Sequence, residues 1–327
     1  MIWLIYAIIA SVILFFLIAN YTMLLHPRTR HNPNIEDYAC MNDVWQKTPG
    51  NKKLVIFLHG IYCSPNMFRF IAESLEDSEW DMYMPALPTC SRTLEDLIKC
   101  GPWSWDESLA VAMEKVKSQE DKYETIVLGG HSQGGALALA LGPKLHFLKA
   151  LIVIAGPVNL YGPRMTFLHN AGIALAGFLH FIVKIGVKMQ SRHTTERRKV
   201  KDVSSIEDLV YPLTLQAFKR IRPDVYFAVI PGLPLTLYTF KRGLVHVRGH
   251  LNEIKVPIFL AYEKSDQLVD FANYEYVRAN VSSEFIYDKI FSTPQNQKSY
   301  GNRHLLPVYK PVKKELIASI KEFLSQL

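Results

Sequence analysis

Thr125-Ile126-Val127-Leu128-Gly129-Gly130-His131-Ser132-Gln133-Gly134-Gly135-Ala136-Leu137-Ala138-Leu139-Ala140 is the stretch that decides how this chain folds. Its first five residues are an apolar run suited to a strand, and its last six are a small-residue run suited to a helix. Between them stands Gly-x-Ser-x-Gly. The expected geometry is strand, sharp turn, helix, with Ser132 at the turn as a nucleophile elbow. Flanking glycines lack a Cβ, so strand and helix can approach closely while the serine is held in a strained conformation.

Working outward, the same alternation recurs. Leu54-Val55-Ile56-Phe57-Leu58 reads as a buried strand running into His59-Gly60. Ser64-Pro65 offers an N-cap and a first-turn proline, followed by Met67, Phe68, Ile71 and Leu75 at helical spacing. Asp81–Met84 reads as a strand, 105–118 as a helix, and Ala150–Ile154 as the strand after the elbow helix. Later come a strand over Pro257–Ala261, a helix over Phe271–Ala279, a strand over Glu284–Tyr287 and an amphipathic helix over Val312–Leu324. Strands alternating with helices imply an α/β fold, a mostly parallel sheet with helices on both faces. Its core is expected over 54–156 and 251–327. Residues 157–250 interrupt the pattern with two apolar stretches around a basic segment, Arg192–Lys201, and read as an inserted cap over the strand ends.

Active sites on such sheets lie at the carboxyl ends of the strands. A serine hydroxyl is a poor nucleophile until a base takes its proton, and the usual base is a histidine held by a carboxylate. On an elbow fold the order is Ser, acid, His. Beyond Asp266 the chain has a single histidine, His304, in the loop between the last strand and the last helix. It is the expected base. Asp266, in the loop after 257–261, is the expected acid; Glu263 and Asp270 compete with it. The oxyanion formed on attack needs fixed donors. These are expected from the backbone N–H of Gln133, at a helix N-terminus, and that of Ile61, in the loop after the first core strand. His59 is expected to tie that loop down, and His131 to point away from Ser132 by alternation. Cys63, just past the loop, can line the substrate pocket or pack as a small hydrophobe.

The first 25 residues, MIWLIYAIIASVILFFLIANYTMLL, carry no charged side chain. As a helix they would extend roughly 37 Å, more than a hydrocarbon core of about 30 Å. No Lys or Arg precedes the run, unlike a signal peptide, so a retained single-pass transmembrane anchor is expected. Residues 26–53 follow as a polar linker with room for a short first strand. Arg28 and Arg30 are the first side-chain charges after the run, which puts the body on the cytoplasmic side.

The chain of 327 residues is 49% hydrophobic, enough for a large core, and carries a net charge of +7. A basic balance favours an acidic partner such as anionic lipid. Nucleic acid is disfavoured, because no interleaving of basic and aromatic residues stands out. Cys40, Cys63, Cys90 and Cys100 show no C-x-x-C spacing, and the histidines show no ligand spacing, so no metal is expected. A Cys90–Cys100 bridge stays open.

Together these residues resemble the α/β-hydrolase superfamily, and within it the carboxylesterase and monoacylglycerol lipase group. Leu58-His59-Gly60-Ile61 with Ser64-Pro65-Asn66-Met67 is similar to that group's oxyanion loop, Gly101-Pro102-Trp103 with Trp105 to its G-P-x-x-W element, and Gly130–Gly135 to its G-x-S-x-G-G. The resemblance implies hydrolysis of monoacylglycerols or of short- to medium-chain esters, without a cofactor, and adds Tyr62 and Trp103 to Cys63 as substrate-binding candidates. Two departures stand out. Tyr62-Cys63 replaces the usual glycine, and His304 follows Asn302-Arg303 rather than the common Ser/Gly-x-His. The expected function is a membrane-anchored serine hydrolase acting on lipophilic esters, with membrane lipid and substrate as its partners and no obligate protein partner evident. An acyltransferase with the same triad, or a non-catalytic membrane binding protein on the same fold, are the alternatives.

Overall fold

The structure, a computed structural model, describes residues 6, 10–11, 42–61, 63–88, 103–160, 233–293 and 303–327. Most of the expected anchor, linker and cap lies outside these. No helix among the described residues is long and apolar enough to cross a membrane.

Seven strands form one sheet: β1 (Val44–Gln46), β2 (Lys53–Leu58), β3 (Trp80–Met84), β4 (Thr125–His131), β5 (Leu148–Ile154), β6 (Ile258–Glu263) and β7 (Ile286–Phe291). Their order is β1-β3-β2-β4-β5-β6-β7. β1 runs antiparallel to β3, and every other pairing is parallel. The order reverses at β2, which has β3 on one side and β4 on the other. Ligands of open parallel sheets bind at such a switch point, outside the carboxyl ends of the strands. The loop 59–61 and Ser132 sit at the ends of these two strands.

β2, β4 and β5 read as continuous apolar runs because both faces are covered. Alternate residues part cleanly. Leu54, Ile56, Leu58, Leu128, Leu151 and Val153 pack on one face with α2 (Trp105–Lys117), α3 (Gln133–Leu141), α4 (Leu233–Gly249) and α5 (Ala272–Asn280). Val55, Phe57, Val127, Ile152 and Ile154 pack on the other with α1 (Arg69–Leu75) and α6 (Lys310–Leu324).

Three elements differ in detail from the sequence expectation. A 3-10 turn, Pro65–Phe68, precedes α1, and the Ser64 hydroxyl makes no capping hydrogen bond. β7 runs to Phe291, later than Tyr287, because β6 continues through Tyr262 and Glu263 and pairs Glu263 with Phe291. The charges Asp288 and Lys289 hide this edge strand from a hydropathy reading. α4, at the end of the expected cap, buries Phe240, Leu244 and Val247 in the core cluster. Phe240 stacks on Trp105 of α2 at 5.5 Å, and a Cβ on Gly243 would fall 2.3 Å from the same indole, so the two helices touch closely.

Candidate active site

Ser132 has φ 55° and ψ −121°, the left-handed conformation that costs a non-glycine residue about 1–3 kcal/mol. The surroundings enforce it. The Ser132 N–H donates to Ile154 O at 2.9 Å, and its carbonyl accepts from Ala136 N–H at 3.1 Å in the first turn of α3. A Cβ on Gly134 would lie 1.8 Å from Leu58 O, and one on Gly130 would lie 2.2 Å from the Gly134 carbonyl. Only glycine fits where β4, α3 and the end of β2 meet.

α3 begins at Gln133, immediately after the serine. Its first N–H groups have no carbonyl within the helix to bond, and the helix dipole adds positive potential there. The loop after β2 comes up beside it. A Cβ on Gly60 would lie 3.0 Å from the Ser132 Cβ, which brings the backbone leading into Ile61 against the serine. His59 braces this loop from within the protein. Its Nδ1–H donates to Gly60 O at 2.9 Å, and its Nε2 accepts from Leu87 N–H at 2.9 Å. Full burial pushes its pKa down to about 4, so the ring is a neutral, fixed tautomer at pH 7.

His304 and Asp266 meet as a buried pair. His304 Nδ1–H donates to Asp266 Oδ2 at 2.7 Å. The other carboxylate oxygen, Oδ1, accepts from the N–H groups of Leu268 at 2.8 Å and Val269 at 3.1 Å. Burial alone would raise the Asp266 pKa. The His304 imidazole and these two backbone donors outweigh it and hold the carboxyl below its usual value. The carboxylate is therefore ionised, with one oxygen on His304 Nδ1–H and the other on two backbone donors. Glu263 and Asp270 are occupied elsewhere: Glu263 Oε1 accepts from Ser265 and Thr293, and Asp270 Oδ1 accepts from Ala272 N–H.

The sequence reading left one member out. His131, the residue before Ser132, reaches the loop that carries His304. Its Nε2–H donates to the His304 carbonyl at 2.6 Å, and the two rings lie 4.7 Å apart. Burial first, and the Coulombic influence of the neighbouring His304 second, lower its pKa to about 3. A neutral His131 thus pins the backbone of His304 directly to the elbow. The only sequence signal for this was its place beside the serine.

The remaining candidates divide. Cys63 is buried among Phe57, Met67 and Phe68, and burial pushes its thiol up to about 12, so it packs as a small inert hydrophobe. Trp103 is buried, with its carbonyl accepting from Thr236 Oγ1 of α4 at 2.9 Å. Tyr62, Cys90 and Cys100 lie outside the described residues. No cluster of three metal-binding side chains occurs among the described residues.

The sequence model of the Alpha/beta hydrolase family matches residues 55–282, from β2 past the end of α5. The chain belongs to this family. Curated proteins gave no match. Solved structures agree on the fold. A chain from the metagenome-derived lipolytic enzymes LipS and LipT superposes with a TM-score of 0.58 at 14% identity, covering 88% of this chain and 99% of that one. MenH from S. aureus gives 0.56 at 16% identity, covering 87% and 98%. The monoacylglycerol lipase of Paleococcus ferrophilus gives 0.53 at 14% identity, covering 86% and 97%. At such identities these relatives share the alpha/beta hydrolase architecture with this chain.

Proposed function

We propose that this protein is a membrane-anchored serine hydrolase that cleaves carboxylic esters of lipophilic molecules, monoacylglycerols or short- to medium-chain esters. One observation carries the reading. A buried imidazole–carboxylate pair, His304 and Asp266 at 2.7 Å, has its backbone tied through His131 to a serine held at positive φ on an elbow.

The chemistry follows from these parts. His304 Nε2 takes the Ser132 proton as Oγ attacks the ester carbonyl. Asp266 fixes the tautomer and stabilises the imidazolium. The N–H groups of Gln133 and Ile61 receive the developing oxyanion; one such donor is worth about 10²–10³ in kcat. His304 then passes the proton to the leaving alcohol, and water cleaves the acyl-enzyme by the reverse path. No step draws on a cofactor. A cap over 157–250 with two apolar stretches suits a greasy alcohol or acyl group. The uncharged run 1–25 supports an anchor, joined through the linker 26–53 to a core over 54–156 and 251–327. An anchored enzyme meets lipid substrates where they partition.

A fluorophosphonate probe tests the nucleophile: it labels the wild type and leaves Ser132→Ala unlabelled. Folded wild type that resists labelling would remove the enzyme reading. Membrane fractionation of the full chain and of a chain lacking 1–25 tests the anchor, which fails if the full chain is recovered soluble. A panel of esters of graded acyl length then fixes the substrate.

A further inference from the structure

The acid and the base come from different loops, and each is preceded by a residue that bonds its counterpart. Arg303 Nη1 donates to Ser265 Oγ at 2.9 Å, one position before His304 Nδ1–H donates to Asp266 Oδ2 at 2.7 Å. Both bonds join residues 38 apart in sequence, so they form two successive rungs between the same loops. The Ser265 hydroxyl is used in both directions. It accepts from Arg303 and donates to Glu263 Oε1 at 2.7 Å. The Ser265 N–H reaches the same oxygen at 3.2 Å, and Thr293 N–H, just after β7, donates to it at 3.0 Å. Glu263 is the buried last residue of β6, fixed in the sheet by its pairing with Phe291. Rigid strand, carboxylate, hydroxyl and guanidinium thus run in series to the residue before the base.

We propose that Glu263, Ser265 and Arg303 form a positioning strap that sets the spacing of the acid and base loops, and that Arg303 is how this chain holds a base loop lacking the short Ser/Gly-x-His approach. The inference rests on the hydrolase reading above. The strap touches no reacting atom. It acts through Asp266 and His304, whose bond length and angle depend on how far apart their loops stand. Arg303 is buried, so its bond to Ser265 is shielded from competing water. A group misplaced by about 1 Å can lose about 100-fold in rate without loss of substrate affinity.

The test uses the full chain in detergent with p-nitrophenyl octanoate as the substrate. Ser265→Ala and Arg303→Met should each lower kcat about 10- to 100-fold with KM within about twofold, the signature of an interaction felt only in the transition state. The double variant should be little worse than either single one, because both cut the same strap. Ser265→Thr, which keeps the hydroxyl, should restore kcat. Independently of turnover, the proton shared by His304 and Asp266 should give a far-downfield NMR signal in wild type and Ser265→Thr, broadened or lost in Ser265→Ala and Arg303→Met. The strap is overturned if Ser265→Ala keeps both kcat and this signal, or if Ser265→Thr is as damaged as Ser265→Ala. If the wild type neither cleaves esters nor takes up the fluorophosphonate while the signal responds as expected, the hydrolase reading fails and the strap stands.

Discussion

Lowering the pH from 7 to 5 should cost the fold about 2 kcal/mol at His59 alone. The ring is fully buried, and burial brings its pKa from 6.5 to about 4, against a smaller upward pull from the Gly60 carbonyl and Asp43. Unfolded, the same histidine titrates at its ordinary value. Between pH 6.5 and 4 the unfolded chain therefore binds the proton and the folded chain does not. Stability at this group is complete above pH 6.5 and falls as pH drops, the loss reaching about 3 kcal/mol below pH 4. Protonation would also destroy a bond, because the Nε2 that accepts from Leu87 N–H would become a donor. The comparison is with His59→Gln, whose amide oxygen can still accept from Leu87 and which does not titrate. Melting temperatures of both proteins at pH 7 and pH 5 isolate the effect from every other group. Wild type should lose roughly 3 °C more than the variant across that interval. Equal losses would show that His59 takes up its proton at no cost, and would refute the buried neutral tautomer that braces the loop before Ile61.

Asp266→Asn should fold normally and lose about 10³- to 10⁴-fold in kcat, measured by ester hydrolysis, because an amide cannot hold the imidazole in the working tautomer. Gly134→Ala, whose methyl would sit 1.8 Å from Leu58 O, should cost about 3 kcal/mol or more and abolish phosphonate labelling. Gly249→Ala, with nothing within 4 Å of the added methyl, should leave the melting temperature unchanged or slightly raised. Phe240→Ala, which removes the ring stacked on Trp105, should cost about 3–5 kcal/mol in thermal denaturation.

What the sequence disclosed and what it withheld divide along a physical line. Ser132 was legible because a strand, a glycine-flanked turn and an Ala-rich helix are all local signals. His304 and Asp266 were legible through chain order, and the structure brings those two together. The linker's short strand, Val44–Gln46, was legible only as a possibility, since its partner β3 lies beyond the next strand in sequence. Contacts between other side chains on separate loops were not legible. Nothing in the letters around Arg303 says that its guanidinium meets Ser265. Alternation along β4 likewise cannot say that His131 meets the His304 carbonyl. α4 illustrates the same limit. Pro231-Gly232 and Pro234 break its apolar run in the text, yet a proline in the first turn is compatible with a helix, and Phe240, Leu244 and Val247 find the core only once α2 is in place.

The sheet order has a temporal consequence. The elbow serine is built from β2, β4 and β5, all present early in the chain, whereas the imidazole arrives only after β6 and β7 have been laid down beside them. A chain emerging from the ribosome would carry Ser132 long before His304. On the proposed hydrolase reading, Ser132 would stay dormant through synthesis until the last strands dock, and uptake of an active-site probe would report completion of the whole sheet.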